Sequence, residues 1–231
     1  MKRHALALAV ALVVAACTAQ PAAAPSPTST VPPTVAPTVA ATAAPTPTSP
    51  IPTIPAPVAV EVPVKGAALL VLDITNTVCD PRPSCVSSLS KIANLVKKAR
   101  DAKVPIVYTT TTAGTQVRAE IAPQSADATV AGRSDKFFGT NLDKVLADRA
   151  AENVVAVGSA ANGAVLYTVF GLGLRGYTVV VAQDGISAEP EFPTTLTRWQ
   201  LLNEPGFANA DNKPLAKGFV TLSTTDLVTF K

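Results

Sequence analysis

Three cysteines and one histidine are the side chains best suited to covalent or metal chemistry, and their placement restricts both. His4 lies in a basic opening followed by an apolar run, the pattern of a removed targeting segment, so the mature chain has no histidine. That excludes Ser-His-Asp and Cys-His catalysis and His-ligated zinc. Cys79 and Cys85, with the distant Cys17, do not make a four-thiolate site, and neither metal nor cofactor is expected. In an exported chain Cys79 and Cys85 form a disulfide; the alternative is a nucleophilic Cys79 beside Asp73. Asp73 closes an apolar run and either caps the next loop or presents a carboxylate to a ligand. Asn162-Gly163-Ala164 opens a helix whose free N–H groups suit an anion or carbonyl oxygen, unless Asn162 merely caps it. Thr109 to Thr112 offer hydroxyls, and Phe192 and Trp199 are expected as core or oligomer-contact aromatics.

Alternating strands and helices must position these groups. Strands are read at 67–73, the first of them buried, 105–110, 153–158 and 178–182, with a weaker one at 128–130 and a last one at 218–221. Helices are read at 88–102, 142–150, 164–175 and 194–202, with a short one from Thr224. This alternation implies a parallel sheet with helices on both faces and ligands at the carboxyl ends of the strands. Asp73 and the Gly158–Ala164 turn fall at that end. No strand is followed by G-x-G-x-x-G or a P-loop, which argues against a nucleotide site. Gly171 and Gly173 lie inside a helix and read as close-packing positions.

The chain has 231 residues and joins two compositions. Of its 21 prolines, 13 fall between Thr18 and Pro63, where Glu61 is the only charge. That stretch reads as an extended stalk reaching on the order of 140 Å. Before it, Lys2, Arg3 and His4 precede an apolar stretch from Ala5 to Ala16, and Val14-Ala15-Ala16-Cys17 resembles the bacterial lipobox. The expected layout is a signal peptide over 1–16, a lipid-anchor Cys17 with its linker over 17–63, and a folded domain over 64–231. The membrane, reached through the lipid anchor, is then a partner and the domain is extracytoplasmic. A net charge of +3, two of it from Lys2 and Arg3, gives no footprint for nucleic acid.

Residues 66–231 resemble the isochorismatase-like cysteine hydrolases. Asp73-Ile-Thr-Asn76 is similar to the family's opening D-x-Q-N, and Phe137-Phe-Gly-Thr-Asn-Leu142 to its F-x-G-T-x-L. Val155-Ala-Val-Gly158 and Asp184-Gly-Ile-Ser187 are similar to the segments around and after its nucleophile. The resemblance implies a three-layer α/β/α fold with a six-stranded parallel sheet, often assembled into homo-oligomers.

It also implies an Asp base, a Lys after the third strand and a Cys at a helix N-terminus that attacks a carbonyl. Asp73 holds the first position. Alignment sets Ala131 or Gly132 where the Lys belongs and Ala164 where the Cys belongs, with Ala161 replacing a Thr in the turn. Both Lys and Cys are therefore expected to be lost, although Lys136 or Arg133 could swing in. Asn76, Lys136, Ala160, Ala161 and Asn162 remain as ligand-binding candidates. The expectation is a surface-tethered, non-catalytic module that binds a small carbonyl or amide compound or serves assembly. The alternative is a hydrolase of an amide or vinyl ether using Asp73 and a non-standard nucleophile.

Overall fold

The computed structural model describes residues 52–231. The targeting segment, Cys17 and most of the linker lie outside the described residues. Strands β1 (Val60–Val62) and β2 (Ala67–Leu72) precede helices α1 (Asn76–Cys79) and α2 (Pro83–Asp101). Then come β3 (Ile106–Thr110), β4 (Ala128–Ala131), α3 (Leu142–Ala147) and β5 (Asn153–Ser159). A π turn, Ala161–Val165, leads into α4 (Leu166–Leu174). The chain ends with β6 (Thr178–Ser187), α5 (Phe192–Asn203), β7 (Val220–Ser223) and β8 (Val228–Phe230).

Six strands form one parallel sheet in the order β4-β3-β2-β5-β6-β7, the expected three-layer architecture. β2 is buried throughout, as a central parallel strand must be. Its side chains alternate: Leu70 and Leu72 enter the core beneath α3, α4 and α5, while Leu69 and Val71 enter the one beneath α2. Helix α2 begins with Pro83 in its first turn, where the missing N–H costs nothing, and buries Leu89, Ile92, Leu95, Val96 and Ala99. The two helix glycines are close-packing positions: a Cβ at Gly171 would meet the Phe137 ring at 2.8 Å, and one at Gly173 the Phe207 ring at 3.0 Å.

Two expectations give way. Residues 58–62 are not linker. Val60 and Val62 are buried, and β1 pairs in parallel with β8 as a separate two-stranded sheet. Nor does a helix follow Thr224: a turn delivers the chain into β8, and Lys98 Nζ donates to the carbonyls of Thr225, Asp226 and Val228 at 2.9, 2.9 and 3.0 Å. The compact unit accordingly runs from Ser49 to Lys231. A chain starting at residue 64 loses two buried valines and leaves β8 unpaired. Compared with one starting at residue 49, it should be about 3–6 kcal/mol less stable in urea unfolding.

Candidate functional site

The site is assembled where β2, β3 and β5 end. At the end of β5, Gly158 faces Leu72, and a Cβ there would lie 2.5 Å from Leu72 Cβ and 2.6 Å from its carbonyl oxygen. Only glycine allows this approach, one residue from Asp73. Asp73 itself has a left-handed backbone, φ 55°, tolerated in Asp because its polar groups find partners locally. Its N–H donates to the Thr109 carbonyl and hydroxyl, each at 3.2 Å, and the Thr109 hydroxyl donates to Asp73 Oδ1 at 2.8 Å. The carboxylate does not cap the next loop; Thr75 does, accepting from the Val78 N–H at 3.3 Å.

The second carboxylate oxygen meets a cation. Lys136 Nζ lies 2.7 Å from Asp73 Oδ2, and the lysine is fully buried. The same ammonium donates to the Gly132 carbonyl at 2.7 Å and the Thr110 carbonyl at 3.3 Å, so all three protons have acceptors. The Lys136 N–H donates to the Thr168 hydroxyl at 3.2 Å, which fixes the loop against α4. The expectation of an empty lysine site is therefore corrected. Ala131 and Gly132 occupy the aligned positions, but a side chain from four residues beyond Gly132 supplies the ammonium, and Gly132 supplies one of its acceptors.

Burial pushes the Asp73 carboxyl above its ordinary range, against the opposing pull of Lys136 and Thr109. A carboxyl raised by folding contributes stability that is complete below its unfolded pKa and is lost as pH rises through the folded value.

Ala164 is buried in the π turn. The N-cap of this turn is Ala160, whose carbonyl accepts from the N–H groups of Gly163 at 3.0 Å and Val165 at 3.3 Å. Asn162 is exposed and is not the cap. Ala161 is buried, Ala160 half-buried, and the Ser159–Ala160 peptide is cis. On the neighbouring strand Ser187 pairs in register with Ser159, whose hydroxyl donates to the Ser187 carbonyl at 3.2 Å. The Ser187 hydroxyl is buried and has no hydrogen-bond partner. Asn76 begins α1, half-buried, its N–H on the Gln116 carbonyl. Arg133 makes no contact with Asp73, whose cation is Lys136. An open cleft lined by Glu152, Asn153, Tyr177 and Lys217 sits at the amino ends of β5 and β6, away from this chemistry.

Cys79 joins Cys85 in a buried disulfide, Cα atoms 5.2 Å apart, which removes Cys79 as a nucleophile. The bond links α1 to α2 just beyond Asp73. Replacing both cysteines with serine should lower unfolding free energy by about 2 kcal/mol, the loop-closure entropy of so short a loop. Urea unfolding of oxidised protein against the double variant measures it.

Thr109 and Thr168 are the participants that sequence reasoning did not single out as partners of Asp73 and Lys136. A Thr ending the strand beside the Asp strand is the signal for the first. Nothing local marks the second.

A six-stranded parallel sheet between two helix layers, with a buried acid–ammonium pair at the carboxyl ends of its strands, defines a three-layer α/β/α domain. The family model for the isochorismatase domain matches residues 67–195, and the chain belongs to that family. Among solved structures, the chain is similar to N-carbamoylsarcosine amidase from Thermoplasma acidophilum, at 20% identity and TM-score 0.56, covering 69% of this chain and 96% of that one. It is similar to a cysteine hydrolase from Pseudomonas syringae pv. phaseolicola, at 20% identity and TM-score 0.60, covering 77% and 95%. It is also similar to a nicotinamidase from Staphylococcus aureus, at 20% identity and TM-score 0.56, covering 62% and 99%. No curated protein matches the chain significantly.

Proposed function

We propose that this chain is a lipid-anchored protein whose isochorismatase-family domain binds a small carbonyl or amide compound without turning it over. What carries this reading is Ala164: the acid and the ammonium are paired, and the residue that the family resemblance aligns with the nucleophile has only a methyl. Without a nucleophile, no covalent intermediate forms by the thiol route. The ammonium's protons are all engaged within the protein, so Lys136 serves to hold Asp73 rather than to grip a ligand. The unpaired Ser187 hydroxyl on β6 is a group that a polar ligand would satisfy. The tether is supported by sequence alone: the apolar run stops at Cys17, after Val14-Ala15-Ala16.

A second reading, a hydrolase in which Asp73 activates water, is favoured by the raised carboxyl, which makes a better base than an ordinary Asp. One assay separates the two. Residues 49–231 are offered a panel of amides, carbamoyl compounds and vinyl ethers, with Asp73→Ala as control. The binding reading expects no turnover above the control. Turnover that disappears in Asp73→Ala establishes the hydrolase. Separately, Cys17→Ser should move the full-length chain from the membrane to the soluble fraction.

A further inference from the structure

The cleft at the amino ends of β5 and β6 lies at the opposite end of the parallel sheet from Asp73. Its volume is about 670 Å³, the size of a small-molecule site. Backbone bonds fix its two charged sides around Thr178. The Glu152 N–H donates to the Gly66 carbonyl at 2.8 Å, and the Glu152 carbonyl accepts from the Thr178 N–H at 3.0 Å. On the other side the Gly218 N–H donates to the Thr178 hydroxyl at 3.2 Å, which holds the preceding Lys217 beside the same strand. Pro63, Tyr177 and Leu215 supply apolar lining. Leu215 has a left-handed backbone, φ 48°, rare for a bulky side chain and the kind of strain that collects at ligand clamps.

The charges narrow the ligand. The Arg175 guanidinium in the wall is already engaged: Asp143 accepts from Nε and Nη2 at 2.6 and 3.2 Å, and the Gly171 carbonyl accepts from Nη1 at 3.0 Å. Glu152 and Lys217 differ from it. Both are exposed, and among the described residues neither belongs to an ion pair, with each other or with any other group. A simple anion would be drawn to Lys217 and repelled by Glu152, and a simple cation the reverse. A neutral sugar would leave both charges unpaired. A ligand with an amine at one end, a carboxylate at the other and an apolar middle matches the whole lining. In a free amino acid the two charges flank one carbon; in a short peptide they stand apart, as Glu152 and Lys217 do.

We propose that this cleft binds a short peptide with free ends, its amino terminus on Glu152 and its carboxyl terminus on Lys217. Calorimetric titration of residues 49–231 with alanyl-leucyl-alanine tests it, beside the same peptide N-acetylated, C-amidated or blocked at both ends. The expected result is saturable binding within about 5 mM of the free peptide. Each blocked end should weaken it about fivefold, the scale of one exposed ion pair. Lys217→Met should weaken the free peptide about fivefold and leave the amidated one unchanged; Glu152→Gln should do the same with the N-acetylated one. The blocked peptides probe the same contacts on the unaltered chain, so the result does not hang on the variants folding. No saturation at about 5 mM overturns the proposal. So does equal affinity for the free and doubly blocked peptides. Binding indifferent to both substitutions also overturns it, because the peptide would then sit elsewhere, the Asp73 site included. Chitotriose bound more tightly than the free peptide, and weakened by the same substitutions, would make the cleft a glycan site instead.

Discussion

Ala164→Cys is expected to give a reactive thiol and measurable hydrolysis from a single substitution. The new side chain would sit in the opening turn of a helical run from Ala161 to Leu174, at the carboxyl edge of the sheet that holds the Asp73–Lys136 pair. Helix N–H groups favour thiolate, and a carboxyl raised by burial is a suitable acceptor for the thiol proton. A free cysteine titrates near 8.5; a one-unit depression raises its thiolate fraction at pH 7 about eightfold, and alkylation by iodoacetamide should accelerate accordingly. Against amides and carbamoyl compounds, we expect turnover at least about 100-fold above the parent chain, the lower range of what one positioned acid–base group contributes. Had the lysine site been empty, this substitution alone would have been expected to fail. Lys136 reverses that expectation. Adding Asp73→Asn should abolish turnover while leaving the thiol present. An Ala164→Cys protein that alkylates at the rate of a free thiol and hydrolyses nothing would mean that the ion pair no longer serves the nucleophile position.

The second large effect concerns stability. Lys136→Met should cost about 3–5 kcal/mol, because it leaves the Asp73 carboxylate buried with Thr109 as its only side-chain partner. The paired replacement Asp73→Asn with Lys136→Met should recover most of that, since no uncompensated charge remains. The pH dependence set by the raised Asp73 carboxyl should also steepen in the single variant. With the ammonium gone, the Asp73 carboxyl rises further, so folding favours its protonated form. Stability is then highest below the ordinary carboxylate range and falls as pH rises through the raised value. Urea unfolding at pH 5 and pH 7.5 reads both effects: a deficit that grows at the higher pH in Lys136→Met and is absent from the pair. Equal losses in the single and double variants would show that Lys136 matters for packing rather than charge.

The alternation of apolar strands and amphipathic helices made the sheet legible, because a buried parallel strand such as Ala67–Leu72 has few other readings. Asp73 was legible for the same reason, standing where such a strand stops. The Cys79–Cys85 pair followed from short spacing and the expectation of export. Lys136 was not legible by alignment, which counts backbone positions while its chemistry is set by the tip of a long side chain. From Lys136, Nζ returns to Gly132 and Asp73 at once, and no position-by-position count anticipates that. Strand β1 was hidden by its proline-rich neighbourhood and by a partner near the far end of the chain, Val228–Phe230. The alternation of Val58, Val60 and Val62 was the available sign. Phe192 was read as a core or contact aromatic, and its exposure removes the core half of that reading.

The parallel ribbon of β1 and β8 also decides how the domain bears a mechanical load. A pull along the chain from before residue 52 meets first Ile54, packed on the core, and Ala56, whose carbonyl accepts from Asn212 Nδ2 at 3.0 Å, and then Val58, Val60 and Val64, whose N–H groups reach the Leu222, Leu227 and Lys231 carbonyls at 3.1, 3.1 and 2.8 Å. Force along the strand axis loads these bonds together in shear, whereas force across it opens them one after another. β1 and β8 lie outside the six-stranded sheet, and the segment is joined to β7 through Val58, so once the Val58 bonds to Leu222 and Ser223 yield the ribbon can part first, as a fuse, while β2 and Asp73 keep their place.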